Sequence, residues 1–586
     1  MKKISILLLI IILFISSSCL GRSEFLKLTF ENPPADQNPS NIQNLKGEKP
    51  LTNPNAYYHF LVSQFLIKQG NLDEAIKEIK KAISYDDKEP LLYVELANLY
   101  IHKGLVEEAI NACNIAISYN PKYFQAYLML GGIYFTLKRN QLAIESYKKA
   151  LEINPRHHES YIFLSSLYAE SKQYDKAIEL LKRFLEIEPN SIMALYSIGR
   201  IYAEIKSYDK AKEYFLKALD LEPNMILVLY DLGITYELQN QLQKAAEVYQ
   251  RILNLDPENK KARNRLGQIY IKEKKFNEAL DQFQKLQKSD SEDYDIRTKM
   301  GLIYLEQGKF DQAIKEFSFI LAARPGDDHV RYYLGAAYVE KGDYDQAISE
   351  FKKIPPESKL FSDSRRSIVL ILRKQNRLDE GIRLIEESIK LKPKDAELYL
   401  ILSAIYEKEN QLEKALNILK RGLDENKDSI DLIFQIGAIY DKLGEFEKMV
   451  THMKEVLRLN PDHADALNYL GYSYAEKGIN LNEALDMIQK AMMLKPNMGY
   501  ITDSLGWVYY KLGDYKRALV ELEKAIQLTP DDPIIMEHLA DTYKMLNEIQ
   551  KALELYEKAT RLEPKPDQME RLKTKIQELK EKLKKQ

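Results

Sequence analysis

The chain has 586 residues, 85 of them Lys or Arg and 87 Asp or Glu, which leaves a formal net charge of -2. So even a balance supplies no electrostatic reason to bind nucleic acid or an anionic membrane face. Two cysteines exclude a disulfide scaffold and every Cys-rich zinc module, while 45% apolar residues suffice to bury a core.

Lys2 and Lys3 precede an almost wholly apolar run from Ile4 to Ile15, and Ser16, Ser17 and Ser18 then lead into Cys19. The run is too short for a spanning helix, which needs about 20 apolar residues, and it has the layout of a secretory signal over residues 1–19. Small residues ending in cysteine resemble the lipobox of bacterial lipoproteins, relaxed here because Ser16 stands where Leu is usual. The resemblance implies lipidation of Cys19 and a lipid anchor. Leu20, in place of the aspartate that marks inner-membrane retention, implies an outer-membrane lipoprotein facing the periplasm. An ordinary cleaved signal with an incidental cysteine is the alternative, and either way the protein is exported to the cell envelope. Residues 20–55 hold Pro33, Pro34, Pro50 and Pro54 among many Asn, Gln and Ser. They read as a flexible tether with a reach of roughly 30–36 Å.

From Ala56 the sequence repeats every 34 residues, with units starting at 56, 90, 124 and so on to 464, and two more at 499 and 533, fifteen in all. The eighth place is usually small (Gly131, Gly199, Gly233, Gly335), the eleventh aromatic (Tyr100, Tyr134, Tyr168), the twentieth alanine (Ala75, Ala109, Ala143), and many units close on proline at the thirty-second (Pro121, Pro155, Pro189). Apolar and small residues at helical spacing make each first helix amphipathic, and small residues mark where two helices cross closely. Each proline punctuates a unit, because it lacks an N–H and pushes its predecessor out of the α region.

Period and residue types together resemble the tetratricopeptide repeat over roughly 56–566. The resemblance implies an all-α fold, a right-handed superhelical solenoid of about fifteen helix pairs whose apolar faces are buried by stacking. Two departures stand out. Pro355 and Pro356 arrive early in the unit from 328, and the next unit has Val369 where Gly is usual and Gly381 where Ala is usual; these point to a joint near 354–370. Further on, the unit from 464 is one residue longer, with Gly478-Ile479-Asn480-Leu481 in its turn. After the repeats, residues 567–586 carry Met569, Leu572, Ile576, Leu579 and Leu583 amid lysines, the pattern of a C-terminal capping helix, with contact to anionic lipid or a partner as the alternative.

In such a solenoid partners are expected on the concave face, lined by the second, fifth, ninth and twelfth places of each first helix, which share one helical face. Near the N-terminus these places offer Tyr57, Phe60, Val94 and Asn98; near the C-terminus they offer Asn468, Tyr472, Tyr500, Asp503, Trp507 and Tyr510. An Asn and an Asp one unit apart can hydrogen-bond an extended backbone while the aromatics hold its side chains. Packing of these aromatics between neighbouring helices is the competing reading.

Nothing points to catalysis, a metal or a cofactor. His157-His158 lies in an inter-repeat turn, no Gly-rich phosphate loop, nucleophile elbow or CxxC occurs, and Cys113 takes an apolar place at a helix interface. The expectation is a non-catalytic envelope scaffold that binds proteins or peptides in its groove, with no nucleic acid and no small-molecule substrate. Accessory roles in outer-membrane protein, secretin or pilus assembly are the specialisation implied by similar lipoproteins; a structural spacer and a substrate-presenting accessory of an enzyme are the alternatives.

Overall fold

A computed structural model describes residue 51 and residues 53–585; the signal, Cys19 and almost all of the tether lie outside the described residues. Among those described there are 31 helices and no strand. They form two compact bodies, one up to Lys309 and one from Phe310 on, and each is a stack of antiparallel helix pairs.

The repeat sets the helix boundaries. First helices run over Pro90–His102, Phe124–Thr136 and His158–Glu170, second helices over Val106–Tyr119, Asn140–Ile153 and Tyr174–Ile187. The first described helix starts at Pro54, two residues before the repeat count places it, because Asn53 caps it by accepting the N–H groups of Asn55 and Ala56. First helices stop at the fifteenth place, where the backbone turns left-handed. Glycine sits there in some units, but Lys138, Lys172, Lys206 and Lys274 hold φ near 60° without that freedom. The following N–H folds back to the eleventh carbonyl, as Arg139 does to Tyr134 at 2.8 Å and Gln173 to Tyr168 at 2.8 Å, which closes the helix end.

Within a pair, the small eighth place lies under the ring at the twenty-fourth. A Cβ on Gly199 would come 2.6 Å from the Phe215 ring, and one on Gly335 would come 2.6 Å from Phe351. Those rings are among the largest fully buried side chains. Cys113 fills the same place, fully buried opposite an alanine, and burial pushes its thiol up to about 12. Between units, the fourth place ties the turn: the Tyr399 hydroxyl donates to the carbonyl of Pro393 at 2.9 Å, and Tyr161 does the same to Pro155 at 3.2 Å.

The second helix of the unit from 328 is short, Tyr344–Lys352, and the next first helix is Phe361–Lys374. The prolines end the short helix early and leave carbonyls that Arg365 collects. Its buried guanidinium donates to Phe351 O at 2.8 Å and Ile354 O at 3.3 Å, and lies 4.2 Å over the Phe361 ring. Val369 occupies the space over Gly381, where an added Cβ would make an ordinary 3.5 Å contact. At the other end, Pro566–Lys585 buries Leu572 and Leu579 on the last pair.

Candidate peptide-binding groove

Residues at the fifth and ninth places of one first helix reach the sixth place of the next, and several bond to it. The Tyr196 hydroxyl donates to Asp231 at 2.8 Å, and Gln64 donates to Glu95 at 2.9 Å. This changes the availability of the residues singled out in the sequence. In the first body, Tyr57 is 47% exposed and Phe60 and Asn98 are half-buried. Val94 is closed, packed in a cluster with Ala116, Tyr123 and Ala126, so it lines an interface between units rather than open groove.

In the second body, four of the six expected residues are engaged with neighbours. Tyr500 is 45% exposed and its hydroxyl donates to Asp465 at 2.7 Å; burial first, then that carboxylate, pushes it up to about 12. Asp503 is buried with its carboxylate 2.9 Å from His538 Nδ1. Trp507 is buried too, its ring stacked 4.0 Å from His538 and 4.6 Å from Tyr510, its indole N–H donated to Glu476. Burial works against the imidazolium of His538, but Asp503, Glu476 and Asp541 together raise its pKa above the ordinary value. His538 was not anticipated; its place, sixth in the first helix Pro533–Met545, belongs to the packed side of the repeat.

Tyr472 and Asn468 are the remainder. The Tyr472 ring lies 6.2 Å from His538, half-buried, and burial with Glu476 and Asp503 nearby holds its hydroxyl protonated far above the ordinary range. Asn468 is buried, and its Oδ1 has no hydrogen-bond partner among the described residues. An unmatched buried acceptor of this kind costs about 1–3 kcal/mol.

Beyond these, Glu537 and Asp541 of the last first helix face the C-terminal helix. Lys575 donates to Glu537 at 2.9 Å and to Asp541 at 2.7 Å, and Gln568 donates to Glu537 at 3.0 Å. Burial alone raises Glu537, but Lys575 and Gln568 bring it below the ordinary carboxylate range. The helix therefore sits where the first helix of a further unit would. Among the described residues no cluster of three or more His, Cys, Asp or Glu has metal-ligand geometry, and no helix is long and apolar enough to cross a membrane.

A family model for the tetratricopeptide repeat matches residues 66–131, 237–302, 304–362, 372–436 and 509–576, more than half of the chain. The chain belongs to the tetratricopeptide repeat family. Two further models of this repeat match 190–258 and 124–157, 158–191 and 430–463. No curated protein matches the tetratricopeptide chain significantly. Similar solved structures include yeast Tom70, at 15% identity and a TM-score of 0.32 over 90% of this chain and 96% of that one. The Cut9–Hcn1 hetero-tetramer of APC/C matches at 15% identity and 0.35 over 78% and 96%. MamA from Desulfovibrio magneticus RS-1 matches at 24% identity and 0.26 over 29% and 97%. As a tetratricopeptide repeat protein the chain is a protein-binding scaffold.

Proposed function

We propose that this scaffold is exported and lipid-anchored through Cys19, and that it holds envelope partner proteins by extended segments laid across the first helices of the units from 464 and 499. The observation that supports this placement is the buried Asn468 acceptor without a donor, flanked by Tyr472, Tyr500 and Tyr510, whose rings are only partly covered. A rotation of the Asn468 amide presents its oxygen to a backbone N–H of a bound segment, and the hydrogen bond removes the cost of the unmatched group. Asp503 and Trp507 act in this reading as the rigid floor, held by His538 and Glu476.

The test is a pull-down from crosslinked envelopes, comparing the native chain with an Asn468→Ala, Tyr472→Ala variant of confirmed helical content. Loss of one or a few partners in the variant supports the site and names the assembly it serves; an unchanged partner list refutes it. Metabolic labelling with an alkyne fatty acid tests the anchor: label on the native chain that disappears in Cys19→Ser is expected, and an unlabelled native chain refutes it.

A further inference from the structure

A second site lies on the same face, 60 or more residues upstream of Asn468, between the first helices Phe361–Lys374 and Ala396–Lys408. A cavity of about 180 Å³ opens there, walled by Val369, Leu370, Ile401, Ala404 and Ile405. It exists because the ninth place changes size from one unit to the next. Leu370 stands on one helix, and on the following helix the same place is Ala404, too small to cover it. Leu370 is in consequence 56% exposed, a bulky aliphatic side chain at the edge of an apolar slot.

Charge surrounds that slot unevenly. Arg366, Arg373 and Lys408 line it, against a single lining carboxylate, Glu409. Arg366 is already paired with Glu397. The side chains of Arg373 and Lys408 make no hydrogen bond or ion pair among the described residues. Arg373 and Lys408 therefore stand unpaired, among the described residues, beside an apolar opening.

We propose that this slot binds an acidic, aliphatic peptide segment: one Leu or Ile side chain enters between Leu370 and Ala404, and flanking carboxylates pair with Arg373 and Lys408. The size favours a side chain, since 180 Å³ is well below the roughly 300–1,000 Å³ that encloses a whole small molecule. The charge favours an anionic neighbour on the same chain, because exposed cations steer and orient an acidic partner more than they tighten it. This goes beyond the Asn468 site, which reads backbone and carries no charge preference, and it rests on the same reading of the first-helix face as the binding surface.

The experiment is fluorescence anisotropy of the full chain in detergent with a fluorescein-labelled nonapeptide carrying two central leucines flanked by Asp and Glu. Saturable binding is expected, about tenfold weaker when the leucines become serine and weaker again when the acids become lysine. Leu370→Asp, at an exposed position, is expected to weaken the native peptide about tenfold. Arg373→Glu with Lys408→Glu is expected to reverse the preference toward the lysine peptide. Absence of saturable binding, or equal affinity in Leu370→Asp, overturns the proposal. If Asn468→Ala, Tyr472→Ala abolishes binding and Leu370→Asp does not, the peptide sits at the downstream site: the slot is refuted and the proposed function stands. Displacement of the peptide by palmitate at equal concentration assigns the slot to amphiphiles and refutes the peptide.

Discussion

Arg365 is the residue whose removal should be felt most sharply. The prolines at 355 and 356 cut short the second helix Tyr344–Lys352; the Arg365 guanidinium satisfies the carbonyl of Ile354 at 3.3 Å and adds a second donor, at 2.8 Å, to the carbonyl of Phe351, which also accepts the Ile354 N–H at 3.3 Å. Arg365→Met leaves the Ile354 carbonyl buried without that donor, at about 1–3 kcal/mol, and takes the stronger of two hydrogen bonds from the Phe351 carbonyl, at about 0.5–1.5 kcal/mol. Part of this returns, because the guanidinium is itself desolvated, its pKa pushed down to about 10 by burial. A net loss of about 2–3 kcal/mol follows. In a stack where each unit contacts only its neighbours, that loss stays local. Hydrogen exchange read by mass spectrometry should then show amides of residues 347–374 exchanging about 30- to 150-fold faster, with residues 90–290 unchanged. Trypsin should cut first after Lys353 or Lys359, which also tests the proposed joint near 354–370. Exchange within threefold of native in 347–374, or a rise spread evenly over all units, would refute the assignment of Arg365 as the group that holds this shortened helix.

The paired glycines give opposite signs. Gly199→Ala drives a Cβ to 2.6 Å from Phe215 and 3.3 Å from the Ala211 carbonyl and should destabilise by about 1–3 kcal/mol, whereas Gly381→Ala meets only the 3.5 Å contact with Val369 and should stabilise by roughly 0.5–1 kcal/mol; urea midpoints that move the same way would contradict the packing described. Replacing Lys138, Lys172, Lys206 and Lys274 by glycine relieves four left-handed residues; a gain of roughly 0.5–1 kcal/mol at each is expected in thermal unfolding, and a loss would show that their side chains matter more than their backbone. The pKa of His538 is raised in the folded chain, so its contribution to stability is complete below the unfolded value of about 6.5 and fades as pH rises through the folded one. The urea midpoint of the second body should therefore fall as pH rises above about 6.5, and His538→Gln should flatten the profile; an unchanged slope in that variant would assign the effect elsewhere.

The 34-residue addition was enough to place nearly every helix. First helices begin at 90, 124, 158 and 192 as the arithmetic requires, and the unit at 362 departs by one residue, at Phe361, where the shortened preceding helix lets the chain enter early. What the arithmetic could not carry is which face residues remain open. Trp507 and Asp503 sit at groove places, yet one is held by Glu476 on the preceding unit and the other by His538 on the following one, 31 and 35 residues away. Such pairings depend on side-chain reach across helices, and a consensus position says nothing of its neighbour's length. The twenty-fourth-place rings were likewise missed as partners of the eighth-place glycines, although both positions recur in register. Leu370 opposite Ala404 was legible in principle, since two successive ninth places differ in volume, but only the helix spacing turns that difference into a cavity.

The C-terminal helix bears on how arrays of this kind can be lengthened or cut. Glu537 and Asp541 are matched by Gln568, Arg571 and Lys575 on the helix that covers them, so the last pair and its helix form one keyed cartridge. Internal pairs can be duplicated in steps of 34 without disturbing that key. A last pair transplanted without the helix would instead present two buried-type carboxylates to whatever came next, rejecting acidic helices and recruiting basic ones. The terminus thus sets a polarity for grafting: copies go in upstream, and the cartridge travels whole.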